Sequence, residues 1–131
     1  MTLRSFLEET RALQTGVPTV LAEIGKLLAP LQDDGLVQLQ PQPGRLIVWA
    51  QPIGCVSLRY SPGTIPGGSR VDFYCHFGID SPVKVRVCLE QQPEGWLWNS
   101  PAITSIHHKQ PSAASVELVL LACFSGHLLH K

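Results

Sequence analysis

The chain has 131 residues, is 44% hydrophobic and 15% charged, which is enough to fill one core and too little for two, so a single domain over 1–131 is expected. Ten Lys and Arg balance ten Asp and Glu, a composition that speaks against partners held by bulk charge, nucleic acid and membrane surfaces among them. The same neutrality weakens self-repulsion and so eases a homodimer or a stable complex.

Ser5-Phe-Leu-Glu8 has the form of a capping box, Leu3, Phe6, Leu7 and Leu13 share a helical face, and Gly16 follows as a stop, which predicts a first helix over 3–14. Pro18 suits a first helical turn, and Val20, Ile24, Leu27, Leu28 and Leu31 continue an apolar stripe toward Pro30 and Asp33-Asp34-Gly35, predicting a second helix over 18–29. One continuous kinked helix is the competing reading. From Leu36 the period changes to two. Strands are predicted over 36–40 and 45–50, joined by Pro41-Gln42-Pro43-Gly44, and over 55–60, set off by Pro52 and Gly54. Residues 61–69 form a glycine- and proline-rich loop.

Between Arg70 and Glu90 the pattern is that of a β-hairpin. Val71, Phe73, Cys75, Phe77 and Ile79 alternate with polar residues, as do Val83, Val85, Val87 and Leu89, around the turn Asp80-Ser81-Pro82. Pairing Ile79 with Val83, Phe77 with Val85, Cys75 with Val87 and Phe73 with Leu89 puts every apolar side chain on one face. His76 then faces Arg86, Tyr74 faces Cys88, and Asp72 faces Glu90. Trp96-Leu97-Trp98 and a weaker strand over 102–108 follow. Alternation over 116–124 permits a last strand, but Ser112 as a cap and Gly126 as a stop favour a helix over 113–125. The expected fold is α+β: an N-terminal helical pair packed on a mainly antiparallel sheet of five or six strands, closed by a C-terminal helix.

No catalytic constellation emerges. Asp72 opposite Glu90 reads better as a solvated pair than as an acid/base couple, and Cys88 lacks an orienting group for nucleophilic work. His107-His108 in a strand would point to opposite faces and could not chelate one ion. No CxxC, CxxH or phosphate-binding glycine motif is present, so neither a metal nor a cofactor is expected. Cys55, Cys75, Cys88 and Cys123 read as free, mostly buried thiols. No apolar run reaches 18 residues, and Met1 to Ala12 carries Arg4, Glu8, Glu9 and Arg11 among its apolar residues, so no secretory signal is expected and the expectation is a soluble cytoplasmic protein. Six Arg to four Lys and the single Asn99 are a bias common in chains from GC-rich bacterial genomes.

The expected function is a non-enzymatic protein-binding module of the inhibitor, immunity-protein or dedicated-chaperone type, acting through an uncovered sheet face and the 61–69 loop. The binding residues expected on this reading are Tyr74, His76 and Arg86, with Trp96 and Trp98 either lidding the core or serving as an aromatic edge. The alternative is a small-molecule-binding or hydrolytic domain whose pocket, between sheet and helices, uses His76, Arg86 and Tyr74.

Overall fold

Pro18 sets the start of helix α1 (Thr19–Asp33) and stands at its N-cap with φ −57° and ψ 146°, no side chain closing the end. Val20, Leu21, Ile24 and Leu28 form its buried stripe. The helix runs four residues beyond the sequence expectation, through Pro30. Leu31, the next residue, packs against the core, which holds the last turn in place although proline has no N–H to donate. Gly35, with φ 75°, then ends it. These features belong to a computed structural model that describes residues 2–4, 7, 18–63, 68–78 and 81–128. The predicted helix over 3–14 lies mostly outside the described residues, as do residues 64–67 of the 61–69 loop and Ile79-Asp80 of the hairpin tip.

Six strands follow: β1 (Gln38–Gln42), β2 (Arg45–Ala50), β3 (Gly54–Ser61), β4 (Arg70–His76), β5 (Val83–Gln92) and β6 (Gly95–Asn99). They form one antiparallel meander in sequence order. Helix α2 (Ala113–Phe124) closes the chain behind a capping box in which Ser112 and Ser115 each bond the other's backbone N–H. The helical alternative for the tail is therefore the one the chain adopts. The two described helices touch each other and the same face of the sheet. The expected N-terminal helical pair is thus corrected: among the described residues one helix precedes the sheet, one follows it, and together they cover its inner face.

That face supplies Leu46 and Val48 from β2, Val56 and Leu58 from β3, Val71, Phe73 and Cys75 from β4, and Val85, Val87 and Leu89 from β5, all buried. Trp98 is fully buried among them. Its ring lies 5.7 Å from that of Phe73, and its indole N–H donates to Ser115 Oγ at 2.9 Å, so the one polar atom of the largest core side chain is satisfied by the helix cap.

Three further expectations change. The connection between the first two strands is two residues, not four: Pro43-Gly44, with Gly44 at φ 69°, turns the chain while Pro41 and Gln42 pair within β1. Pro41 fits because β1 is an edge. Leu39 turns its N–H outward to Gln32 Oε1 at 2.8 Å, and Pro41, two residues on, has no outward donor to leave unpaired. The strand predicted over 102–108 is instead a run of turns, although His108 N–H and Trp98 N–H bond Trp98 and Lys109 carbonyls across it.

The hairpin register also differs. Val71 pairs with Leu89 and Asp72 with Cys88, but Tyr74 pairs with Lys84 and Cys75 with Val83. Phe73 alone on β4 therefore spans Val85, Arg86 and Val87 on β5, a bulge whose Arg86 N–H is taken by the Leu128 carbonyl at 3.3 Å. Relative to the expected pairing the shift is two residues at the base and four at the tip. Both are even, so Val71, Phe73, Cys75, Val85, Val87 and Leu89 stay inward and buried, whereas Val83 near the tip is exposed.

Candidate functional site

Neither described helix covers the outer face of the sheet. Strand pairing arranges its side chains in rows: Gln40, Ile47, Ser57, Tyr74 and Lys84 in one, Gln38, Trp49, Cys55 and His76 in the next, and Gln42, Arg45, Arg59, Asp72, Cys88 and Asn99 on the other side. Small residues occupy the middle. Ser57 and Cys55 are buried, at 2% and 5% exposed, among larger neighbours that include Trp49 and Tyr74.

Both aromatics are held by polar neighbours. Trp49 donates its indole N–H to Gln40 Oε1 at 2.8 Å, and the Arg59 guanidinium lies 4.4 Å from the centre of the Tyr74 ring, a cation–π contact. Side chains fixed before a partner arrives lose less entropy on binding. Arg45 and Arg59 stand directly opposite one another on β2 and β3. Such a like-charge pair costs on the order of 0.2–1 kcal/mol when nothing lies between, and no described carboxylate forms an ion pair with either. Their field, added to burial as the larger cause, pushes the His76 imidazole below its ordinary pKa.

Two polar atoms on this face, Ser57 Oγ and Arg59 Nε, are buried without a hydrogen-bond partner among the described residues. Each such atom costs about 1–3 kcal/mol if it stays unpaired. Asp72 is different. Its buried carboxylate accepts from Arg70 Nη2 at 2.7 Å and Nε at 3.0 Å and lies 3.5 Å from Lys84 Nζ, so its charge is already met.

The expected site residues divide. Tyr74 and His76 do share the outer face, though His76 lies opposite Cys55 of β3 and not Arg86. Arg86 sits in the β5 bulge. Trp98 is core, with no surface to offer a partner in this fold. Trp96 is on the helix-bearing side, 6.2 Å from the Tyr60 ring, where it lines a groove with Val20, Ile24, Leu27, Gln110 and Pro111. The expected Asp72–Glu90 pairing is replaced by Asp72–Cys88, with Glu90 opposite Arg70. The carboxylate couple is therefore absent.

His107 and His108 do not point apart as a strand would require, because His108 takes a positive φ of 63° and the two rings stack at 3.7 Å. His107 Nδ1 is engaged, accepting the Ser100 N–H at 3.0 Å. No three His, Cys, Asp or Glu among the described residues are grouped to hold a metal ion. All four cysteines are buried free thiols; burial pushes Cys75 up to about 11 and Cys123 up to about 12. No helix of the described residues is long and apolar enough to cross a membrane.

Arg45, Trp49, Ser57 and Arg59 are the site residues that the sequence reading missed. Their signal was present: Arg45, Ile47 and Trp49 alternate with buried Leu46 and Val48, and Ser57 and Arg59 alternate with buried Val56 and Leu58. No family model matches the chain, and neither a curated protein nor a solved structure matches it.

Proposed function

We propose that the chain is a non-enzymatic protein-binding module that receives its partner on the outer face of the sheet. The observation that carries this reading is the pair of outer-face aromatics, Trp49 and Tyr74, on either side of the small Cys55 and Ser57 of β3, each ring held in place by a polar neighbour. Trp, Tyr and Arg are the side chains that most often anchor protein interfaces, and here they are half-buried on the outer face and outside the hydrophobic core. Inhibitors, immunity proteins and dedicated chaperones all work by presenting such a surface.

The small-molecule or hydrolytic alternative has less support. A groove does open between α1 and β6, but among the described residues Glu23 is the sole titratable side chain lining it, and Tyr74 and His76 lie on the opposite, outer face. Catalysis needs convergent polar groups, which that groove lacks.

Affinity capture from the native host, read by quantitative mass spectrometry, tests the reading when wild type is run beside a Trp49→Ala/Tyr74→Ala variant of unchanged fold. A protein retained in stoichiometric amount by wild type and lost by the variant is the expected result. Equal retention of every captured protein overturns it.

A further inference from the structure

The outer face is more basic than the chain that carries it. Arg45, Arg59, Arg70 and Lys84 share this face with Asp72 and Glu90, whereas the whole chain is neutral. The surplus is not spread evenly. Arg70 and Lys84 are spent on Asp72, which leaves the positive charge concentrated at Arg45 and Arg59, side by side on β2 and β3 with His76 close enough to feel both. Asp72 stands beside Arg59 in the same row, but its carboxylate is held by Arg70 and Lys84, so the two facing arginines form no ion pair among the described residues, an arrangement that a partner's anion would relieve.

The two unpartnered buried atoms point the same way. Arg59 Nε is a donor that cannot lose its proton, and Ser57 Oγ, 2% exposed, is both donor and acceptor. Both project from the outer side of β3, two residues apart. A carboxylate oxygen is an acceptor that could take a hydrogen bond from either. Resting on the protein-binding reading above, we infer that the partner presents an extended acidic segment, with a Glu or Asp carboxylate seated between Arg45 and Arg59 over Ser57 and flanking side chains packed on Trp49 and Tyr74. A folded nucleic acid fits less well, since on this face the described cations outside the Asp72 ion pairs are few, and Asp72 stands in the same row as Arg45 and Arg59 with Glu90 in the next.

The test is selection of a phage library of random dodecapeptides on the full-length protein at 150 mM NaCl, followed by titration of synthetic versions of the selected peptides against wild type, Arg45→Gln, Arg59→Gln and Tyr74→Ala. The inference expects enrichment of Asp and Glu in the selected peptides, at least tenfold weaker binding to each arginine variant, and a similar loss when the peptide carboxylates are replaced by amides. Arg45→Gln guards against an effect of Arg59→Gln on folding. Peptides that lose affinity for Tyr74→Ala but show no acidic enrichment overturn the acidic segment and leave the protein-binding face standing. Peptides insensitive to all three variants overturn both. Failure to select any binder, or tighter binding of a dT20 oligonucleotide than of any peptide, also overturns the acidic segment.

Discussion

The guanidinium of Arg59 lies over the ring of Tyr74, 4.4 Å from its centroid, and the same cation helps to hold His76 below its ordinary pKa. Burial contributes most to that shift, Arg59 next and Arg45 after it. NMR titration of His76 should therefore give a midpoint below 6.5, and Arg59→Gln should raise it. The folded protein favours the neutral imidazole, so the stability tied to His76 is fully present above about pH 6.5 and is lost as pH falls through its folded pKa. Denaturant midpoints across that window should fall less for His76→Gln than for wild type. A His76 midpoint above 6.5 contradicts the electrostatic picture of the face.

The core and the outer face should respond differently to truncation. Phe73→Ala removes a fully buried ring in contact with Trp98 and should cost about 3–5 kcal/mol. His76→Ala, half-exposed on the outer face, should cost under about 1 kcal/mol. Chemical denaturation compares them, and equal losses would mean that a second layer covers the outer face.

Ser115 joins two parts of the fold, since its hydroxyl accepts from Trp98 and from the Ser112 N–H while donating to the Ser112 carbonyl. Ser115→Ala strands the buried indole N–H and opens the capping box. The expected loss is about 2–3 kcal/mol, more than a helix cap alone usually carries. A loss below about 0.5 kcal/mol would show that the Trp98–Ser115 bond contributes little.

Thiol reactivity follows from burial. Cys75 and Cys123, pushed up to about 11 and about 12, should resist alkylation in the native protein at pH 8 and react on unfolding. Counting with a chromogenic disulfide reagent in denaturant, without reductant, should give four thiols. A count of two would overturn the assignment of free cysteines.

How much of this was legible in the sequence varies with the kind of information each feature needs. Strict alternation over Arg70–His76 and Val83–Glu90 fixed which side chains face inward, because that depends on parity alone. The register was not legible, because a bulge that shifts pairing by even numbers leaves parity untouched. Residues 102–108 carry strand-forming residues, yet the positive φ at His108 and the bonds between Trp98, His108 and Lys109 bend them into turns. Such tertiary contacts override local preference. Tyr74 and His76 were found on their face by alternation. Their neighbours Arg59 and Arg45 come from strands up to 31 residues away in sequence, and only the order β2-β3-β4 brings them together.

The central claim, that the outer sheet face is the contact surface, is tested most directly by calorimetric titration of the captured partner into wild type, Trp49→Ala, Tyr74→Ala, Arg86→Ala and Leu121→Ala, the last on the exposed side of α2. Trp49→Ala and Tyr74→Ala should each weaken binding by about 2 kcal/mol or more, roughly thirtyfold. Arg86→Ala should show a smaller loss from its place in the bulge, and Leu121→Ala should match wild type. Affinities of the Trp49 and Tyr74 variants within about twofold of wild type, with Leu121→Ala weakened instead, would contradict the claim and move the interface to the helical side.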